Sequence, residues 1–404
     1  MNLKQKTSAL IPRCIILRIK YLVHLSYRLK NHKNKIQTDY SIKTVQEKKS
    51  HVFFGYYDIT PFNVKTDEIL YLVLPQKSKE VQIVLADTSS NKKQIITTSS
   101  AWNWQQGVRL RWMPNNSREI IFNDFVNETY IARIVNVDSR TERKINTPLY
   151  DISPDGKYGL SLDFERLGCK RPGYGYTCKA YNENEHDLLN IGIDLVNLTN
   201  NSVKRLITYK QLIHLFGSHE KDAHKHYINH ISFSPDGNKF LFFWLTADKP
   251  LHSASLCIYD LKTNMSVIAD KDCRVSHYVW ESSDAIIYTA YDDNNNCRYY
   301  RYIISTKTKS IIQSKFLQVD GHPSIQNEGL LLTDTYPDIN GFQRLFITSS
   351  KNEANYQPLV SIYSTCMMEG EQRTDLHPRF NYMKNKICFD ANINGYRMLN
   401  IINL

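Results

Sequence analysis

From His51 to the C-terminus, short apolar runs alternate with clusters of turn-forming residues. EILYLVL (68–74), VQIVLAD (81–87), EIIFND (119–124), KFLFFW (239–244), AIIYTAY (285–291), RYYRYII (298–304) and LQVDG (317–321) are short and mostly rich in β-branched and aromatic side chains, which predicts strands. SPDG occurs at 153–156 and 234–237, each time followed by an apolar run, and Asp-Gly after Pro signals a tight turn between antiparallel strands. Helical periodicity is scarce in this region; YKQLIHLFGSHEK (209–221) is its best candidate.

The runs recur in register. With NHISFSPDGNKFLFF as template, the apolar residue before the turn is Phe233, and its counterparts are Ile59, Trp112, Ile152, Trp280, Ile325 and Phe380. Most units follow one another at about 40–55 residues, the length of a four-stranded propeller blade. One longer interval, from Ile152 to Phe233, requires an insertion. The fold class expected is all-β, a seven-bladed β-propeller over residues 50–404, preceded by a basic N-terminal arm and linker over 1–49. Too few residues follow the last repeat for four strands, so a strand near 51–55 is expected to complete the last blade and remove an open edge.

Three residues before each aligned position stand Tyr56, Arg109, Leu149, His230, His277, His322 and His377. The first strand of a blade lines the central channel, so one repeat position is one height on its wall. Four imidazoles, an Arg and a Tyr are expected to converge there. His is both a common general base and a common metal ligand. The alternative is a structural His repeated in each blade to tie strands together.

Composition narrows the reading. The 404 residues are 42% hydrophobic and 23% charged, with 15 Gly and 13 Pro, which excludes collagen-like, mucin-like and wholly disordered chains. The 51 Lys+Arg outnumber 40 Asp+Glu, giving a net charge of +11, and much of the excess sits in the first 49 residues. The body is mildly basic and has no basic stripe or recognition motif, so a nucleic-acid partner is not expected. The segment SALIPRCIILRIKYLVHLSYRLK (8–30) is interrupted by Arg13, Arg18, Lys20, His24 and Arg28, too polar to span a bilayer and without a cleavage site. It predicts a basic amphipathic helix, docked on the protein or in peripheral contact with an anionic membrane. Eight Cys without any CxxC pair point to reduced, mostly buried thiols and a cytoplasmic chain peripheral to the inner membrane at most, with Cys169 and Cys178 the one pair close enough to bridge.

In QRTDLHPRF, Asp375 and His377 are two residues apart, so a strand would aim both at one ion, and Gln372 could join from the preceding loop. With His322 this is a mixed N/O set suited to Mn²⁺ or a similar divalent ion. WNWQQG places Trp102, Trp104, Gln105 and Gln106 before a channel strand, where indoles stack on sugar rings and amides bond hydroxyls, unless they pack between blades. The insertion carries DFERLGCKRPGYGYTC (163–178). Its Arg166, Arg171, Tyr174 and Tyr176 among Gly residues suit a loop over the channel mouth that grips an acidic sugar.

The repeat form, the HPSI and HPRF starts of the last two units and the Gln372-x-x-Asp375-x-His377 spacing resemble the oligogalacturonate lyase/TolB-like propeller group. In those lyases a Gln-x-x-His-x-His motif and a His from an earlier blade hold Mn²⁺, and another His is the proposed base. The resemblance implies Gln372, Asp375, His377 and His322 as metal ligands, with Asp replacing the middle His, and His277 as base. HVFFGYYDITPF, AWNWQQGVRLRW, IIFND and DFERLGCKRPGYGY also look like a bacterial propeller family found in surface-polysaccharide clusters.

The chemistry expected is β-elimination on an acidic oligosaccharide or polysaccharide. A metal or Arg109 or Arg171 neutralises the carboxylate, His277 takes the α proton, and His230 is a second base or a substrate contact; Tyr56 faces the substrate. Two other classes stay open. A glycosidase would need paired carboxylates, for which Asp58 and Asp151 share one repeat offset, with Asp334 a further candidate. A glycan- or protein-binding propeller would need no catalysis. A glycosyltransferase-type enzyme of polysaccharide biosynthesis stays open by the surface-polysaccharide resemblance only, since no doubly wound nucleotide-sugar domain is seen.

Overall fold

The computed structural model describes residues 36–404 except 91, 248–252, 272–273, 293, 326–328, 339, 352–355, 365–369 and 384. The helix expected at 8–30, together with Cys14, Cys273 and Cys366, lies outside the described residues.

The described strands form antiparallel meanders of four, in chain order: 50–99, 111–145, 151–208, 226–270, 274–311, 324–363 and 379–403, the last completed by a strand from the N-terminal side. The fourth and fifth meanders share one sheet through a single parallel pair, Ala254 with Arg274. Burial grades across each meander. In the second strand of the first, Leu70, Tyr71 and Leu72 are all fully buried, so both faces of the strand are covered. The fourth strand of the fifth, Thr308–Ile311, is exposed throughout. Unbroken apolar runs such as EILYLVL therefore belong to strands packed between neighbouring sheets, at about 1.5–3 kcal/mol per large apolar side chain fully buried.

Both SPDG segments form the expected turns. Gly156 and Gly237 each have φ +70°, and their amides donate to Ser153 O and Ser234 O at 2.8 Å. The helix expected at 209–221 is Tyr209–Phe216, opened by a Thr208–Gln211 capping box and ended by Gly217 in the left-handed region.

Four expectations need correction. The strand that completes the last meander is Ile42–Val45, paired with Tyr396–Asn403, whereas Ser50–Phe53 opens the first. Ile36–Gln37 adds a fifth strand to the sixth meander. Residues 36–45 are thus built into the sheets and are no linker: Ile42 pairs with Ile402 and Val45 with Leu399, so apolar residues extend an existing apolar edge. LQVDG is bend and coil: the Asp320 carboxylate accepts from His277 and Thr289, and a Cβ on Gly321 would lie 2.0 Å from Asp334 O. DFERLGCKRPGYGYTC is not a flexible loop: Phe164–Lys170 is a helix capped by Asp163. A Cβ on Gly175 would lie 2.1 Å from Gly168 N, so these glycines permit close packing. Cys169 and Cys178 are both free, and Cys178 Sγ donates to Ser100 O at 3.2 Å.

Among the described residues no helix is long and apolar enough to cross a membrane.

Candidate functional site

The innermost strands break their ladders at the repeat position singled out by sequence. Pairing shifts between Asn229 and Ser232, around His230, and between Val275 and Tyr278, around His277. Arg109, His230 and His377 adopt φ of +53°, +56° and +45°, conformations that cost non-glycine residues about 1–3 kcal/mol and re-aim the side chain. Three imidazoles consequently meet, and the fourth, His230, joins them through the Tyr56 ring. Ring centroids of His277 and His322 are 4.1 Å apart, and those of His322 and His377 are 4.4 Å apart. The Tyr56 ring lies 5.2 Å from His230 and 4.8 Å from His377. Gly55 makes room for it, since a Cβ there would sit 2.9 Å from Gln106 O. The next residue, Tyr57, reaches across: its hydroxyl donates to Tyr278 O and accepts from Tyr278 N, both at 2.9 Å.

The imidazoles are oriented from behind. His322 Nδ1 donates to Asp334 at 2.8 Å, and Asp334 also accepts from the amides of His322 and His377. His377 Nδ1 donates to Gly55 O at 3.0 Å. His277 Nδ1 donates to Asp320 at 3.0 Å, and Thr289 Oγ1 fixes the same carboxylate at 2.8 Å. These bonds fix the tautomers of His322 and His377, whose Nε2 atoms are buried without a hydrogen-bond partner among the described residues. Burial pushes His377 and His230 far below the ordinary imidazole range; His322 and Arg171 respectively add to it. Burial also lowers His277. For His322 burial acts downward, but the Asp334 carboxylate outweighs it and the pKa rises.

His322, Asp375 and His377 are buried with ligand atoms all within 4.8 Å of one another. Two orphaned imidazole nitrogens beside a carboxylate fit a divalent cation. Arg373 Nε donates to Asp375 Oδ2 at 3.0 Å, and Arg373 Nη2 donates to the Tyr174 hydroxyl at 2.7 Å. Beside the cluster lies a cavity of about 300 Å³ lined by Arg171, His230, Arg274, Asp320 and Tyr336 among others.

Several expected site residues have other tasks. Gln372 is exposed in the short 3₁₀ turn Gly370–Gln372, whereas the three clustered residues are buried. Arg109 is spent on Asp58, 3.2 and 2.8 Å across two bonds, and on Tyr150 O, so it is not free for a substrate carboxylate. Asp58 is thereby occupied, and Asp151 is tied to Arg111 and the Phe233 amide, which removes the glycosidase pair. Arg166 is fully buried and donates to the carbonyls of Ala223, His224 and His226. Trp102 donates to Lys79 O, and Trp104 packs on His51 and Phe53, so both indoles rest on the first meander while staying partly exposed. Gln105 holds Glu371 O and Arg373 O, and Gln106 holds the Tyr150 hydroxyl. Tyr176 stacks on Phe164 and accepts from Asn123. Arg171 and Tyr174 stay near the cluster, with the guanidinium 4.3 Å above the Tyr174 ring.

Asp320, Tyr336 and Arg373 were missed by sequence reasoning, and Asp334 was singled out only for another role. Asp320 and Arg373 each stand two residues before a cluster residue, a spacing that offered a signal; Tyr336 offered none.

No protein-family model matches the chain, and no curated protein matches it. Among solved structures the chain is similar to an oligogalacturonate lyase in complex with manganese, at TM-score 0.65 and 13% identity over 92% of this chain and 97% of that one. It is also similar to an oligogalacturonate lyase from Vibrio parahaemolyticus, at TM-score 0.64 and 10% identity over 91% and 97%. The β-propeller domain of Cps50 (Swd1) from Myceliophteria thermophila matches at TM-score 0.51 and 13% identity over 90% and 99%. At these identities the likeness carries the fold alone: the sheets are arranged as in β-propellers.

Proposed function

We propose that the seven meanders are the blades of one propeller and that its axis holds a metal-assisted lyase site for an acidic oligosaccharide or polysaccharide. The observation that carries this reading is the buried His322–Asp375–His377 cluster, with two imidazole nitrogens left unpartnered. These three residues would hold a divalent cation, with Mn²⁺ the first candidate because the similar lyase is a manganese complex. When bound, the ion supplies Lewis acidity that makes the proton α to a uronate carboxylate easier to remove. Gln372 joins only if its turn moves.

The chain's own residues do the rest. Arg171 at the cavity and the partly exposed Arg373 bind the substrate carboxylate. Asp320 holds the Nδ1–H of His277, which leaves the opposite nitrogen as proton acceptor. The C–H electron pair becomes the new C=C bond, and the glycosidic oxygen leaves with its bonding pair and is protonated from water. Tyr336, whose ring lies 6.2 Å from His277 and 5.7 Å from His322, walls the same space. The surface-polysaccharide resemblance supports a bacterial cell-surface glycan as the source of such a substrate.

The test is incubation with acidic oligosaccharides and Mn²⁺ while following unsaturated-uronate absorbance. Turnover that disappears in His277→Ala and without metal supports the reading; full turnover in His277→Ala removes that base. A second reading, a non-catalytic glycan- or protein-binding propeller, is favoured by the burial of Tyr56 and all four imidazoles, each at 2% exposure or less. It expects bound metal without turnover.

A further inference from the structure

The imidazoles and the Tyr56–Tyr57 pair separate two cavities. The second follows the inner strands past the ring and is lined by Asp58, Tyr278, Trp280, Ile325, Arg379 and Tyr382 among others, with a volume of about 270 Å³. Ligand sites for drug-sized molecules start near ~300 Å³, so this space takes one ring and not a chain.

Its unpartnered polar atoms can all donate. Trp280 Nε1, Arg379 Nη1 and the Tyr278 hydroxyl are buried and have no hydrogen-bond partner among the described residues. The first two are donors only, and a donor left unmatched in a buried site costs roughly 1–3 kcal/mol. The carboxylate in the lining, Asp58, has one oxygen on each of two Arg109 nitrogens. The charge balance points the same way. Arg379 lies 3.6 Å from Asp390, a carboxylate it shares with Arg397, which in turn also faces Asp375. Trp280, Tyr278 and the exposed Tyr382 supply ring faces for stacking.

We infer that this second cavity is a binding site for a small ring-bearing carboxylate, of the size of one uronate or one cyclohexanecarboxylate. The carboxylate takes the Arg379 and Trp280 donors, and the ring lies against the aromatic wall. The site stands whether or not the histidine side is a lyase.

Calorimetric titration with glucuronate tests it, with glucose as the neutral ring and choline as the cation an aromatic cage would prefer. The expected result is saturable glucuronate binding that persists in Arg171→Ala, at the other cavity. It should weaken at least ~5-fold in Trp280→Phe, which deletes the N–H and keeps a ring. Tyr382→Ala, an exposed change that leaves the fold intact, should weaken it also. Absence of saturable binding, equal binding of glucose, preference for choline, or binding lost in Arg171→Ala but unchanged in both Trp280→Phe and Tyr382→Ala would each overturn the inference.

Discussion

One repeat position recurs from meander to meander, yet it is built differently in the early and the late ones. In the second and third meanders the position is closed. Arg109 is saturated by Asp58 and Tyr150, and Leu149 is buried in the apolar core between the second and third meanders, so close to Gly159 that a Cβ there would meet it at 2.7 Å. In the sixth and seventh meanders the same position carries imidazoles held from behind, with Nε2 left open. An apolar residue or a saturated ion pair thus satisfies the architecture as well as a histidine does. Open nitrogens are not something the fold requires, and leaving two of them buried costs free energy that a bound cation would return.

The closed side should fail through stability. In Arg109→Ala, Asp58 loses its partner while its side chain stays 9% exposed. Breaking such a pair costs about 3–5 kcal/mol, visible as a lowered denaturant midpoint. Replacing both partners, Arg109→Met with Asp58→Asn, should recover most of that loss, since no unpaired charge remains. If Arg109→Ala kept full stability but lost metal, the division between the two sides would be wrong.

The open side should fail through binding. His377→Ala removes one of three clustered ligands, and metal affinity measured against a competing chelator should fall by more than the ~10–100-fold that outer partners carry. The folded state should persist, because the Asp334 and Asp375 carboxylates remain anchored by the His322 amide and Arg373. Asp334→Asn tests the layer behind. That carboxylate orients His322 and caps the His377 amide, so its loss should weaken metal by ~10–100-fold without removing a ligand. Unchanged affinity in Asp334→Asn would make the histidines structural on this side too.

The recurring four-strand unit and the convergence of His230, His277, His322 and His377 were legible because both are periodic: a turn, an apolar run and a fixed offset repeat along the chain. What sequence concealed is what depends on the neighbours across a sheet. Asp334 stands on a second strand and meets His322 only through strand pairing. Trp102, Trp104 and Gln106 have the composition of a sugar platform, but the indoles pack on Phe53 and Gln106 is buried on the Tyr150 hydroxyl. Gly168 and Gly175 read as flexibility and serve close contact instead. Asp58 and Asp151 shared an offset as the imidazoles do, yet each faces an Arg at the start of the second meander, a pairing across sheets that spacing does not reveal.

The opposite end of the repeat supplies the control for this contrast, because there the third and fourth meanders are alike. Ser153 donates to Asp155 and Ser234 to Asp236, each at 2.6 Å, inside matching SPDG turns. For Asp155 the Ser153 bond lowers the carboxyl pKa. For Asp236 burial acts upward, but the bonds from Ser234 and Asn238 win and bring it down to about 2. A carboxyl depressed on folding binds fewer protons in the folded than in the unfolded chain, so its contribution is complete above the unfolded value near ~3.9 and fades as pH falls. For Asp236 the window runs from about pH 4 down to about pH 2. Both turns are largely solvent-exposed, so the effect should be small and reduced by salt. Melting temperature followed from pH 5 to pH 2 should fall slightly less steeply in Asp155→Asn and in Asp236→Asn, with the larger change in Asp236→Asn. Small responses from both turns beside large, unequal responses at the histidine cluster would locate the divergence between these meanders at that cluster; a large loss of stability from one turn would spread it over the whole repeat.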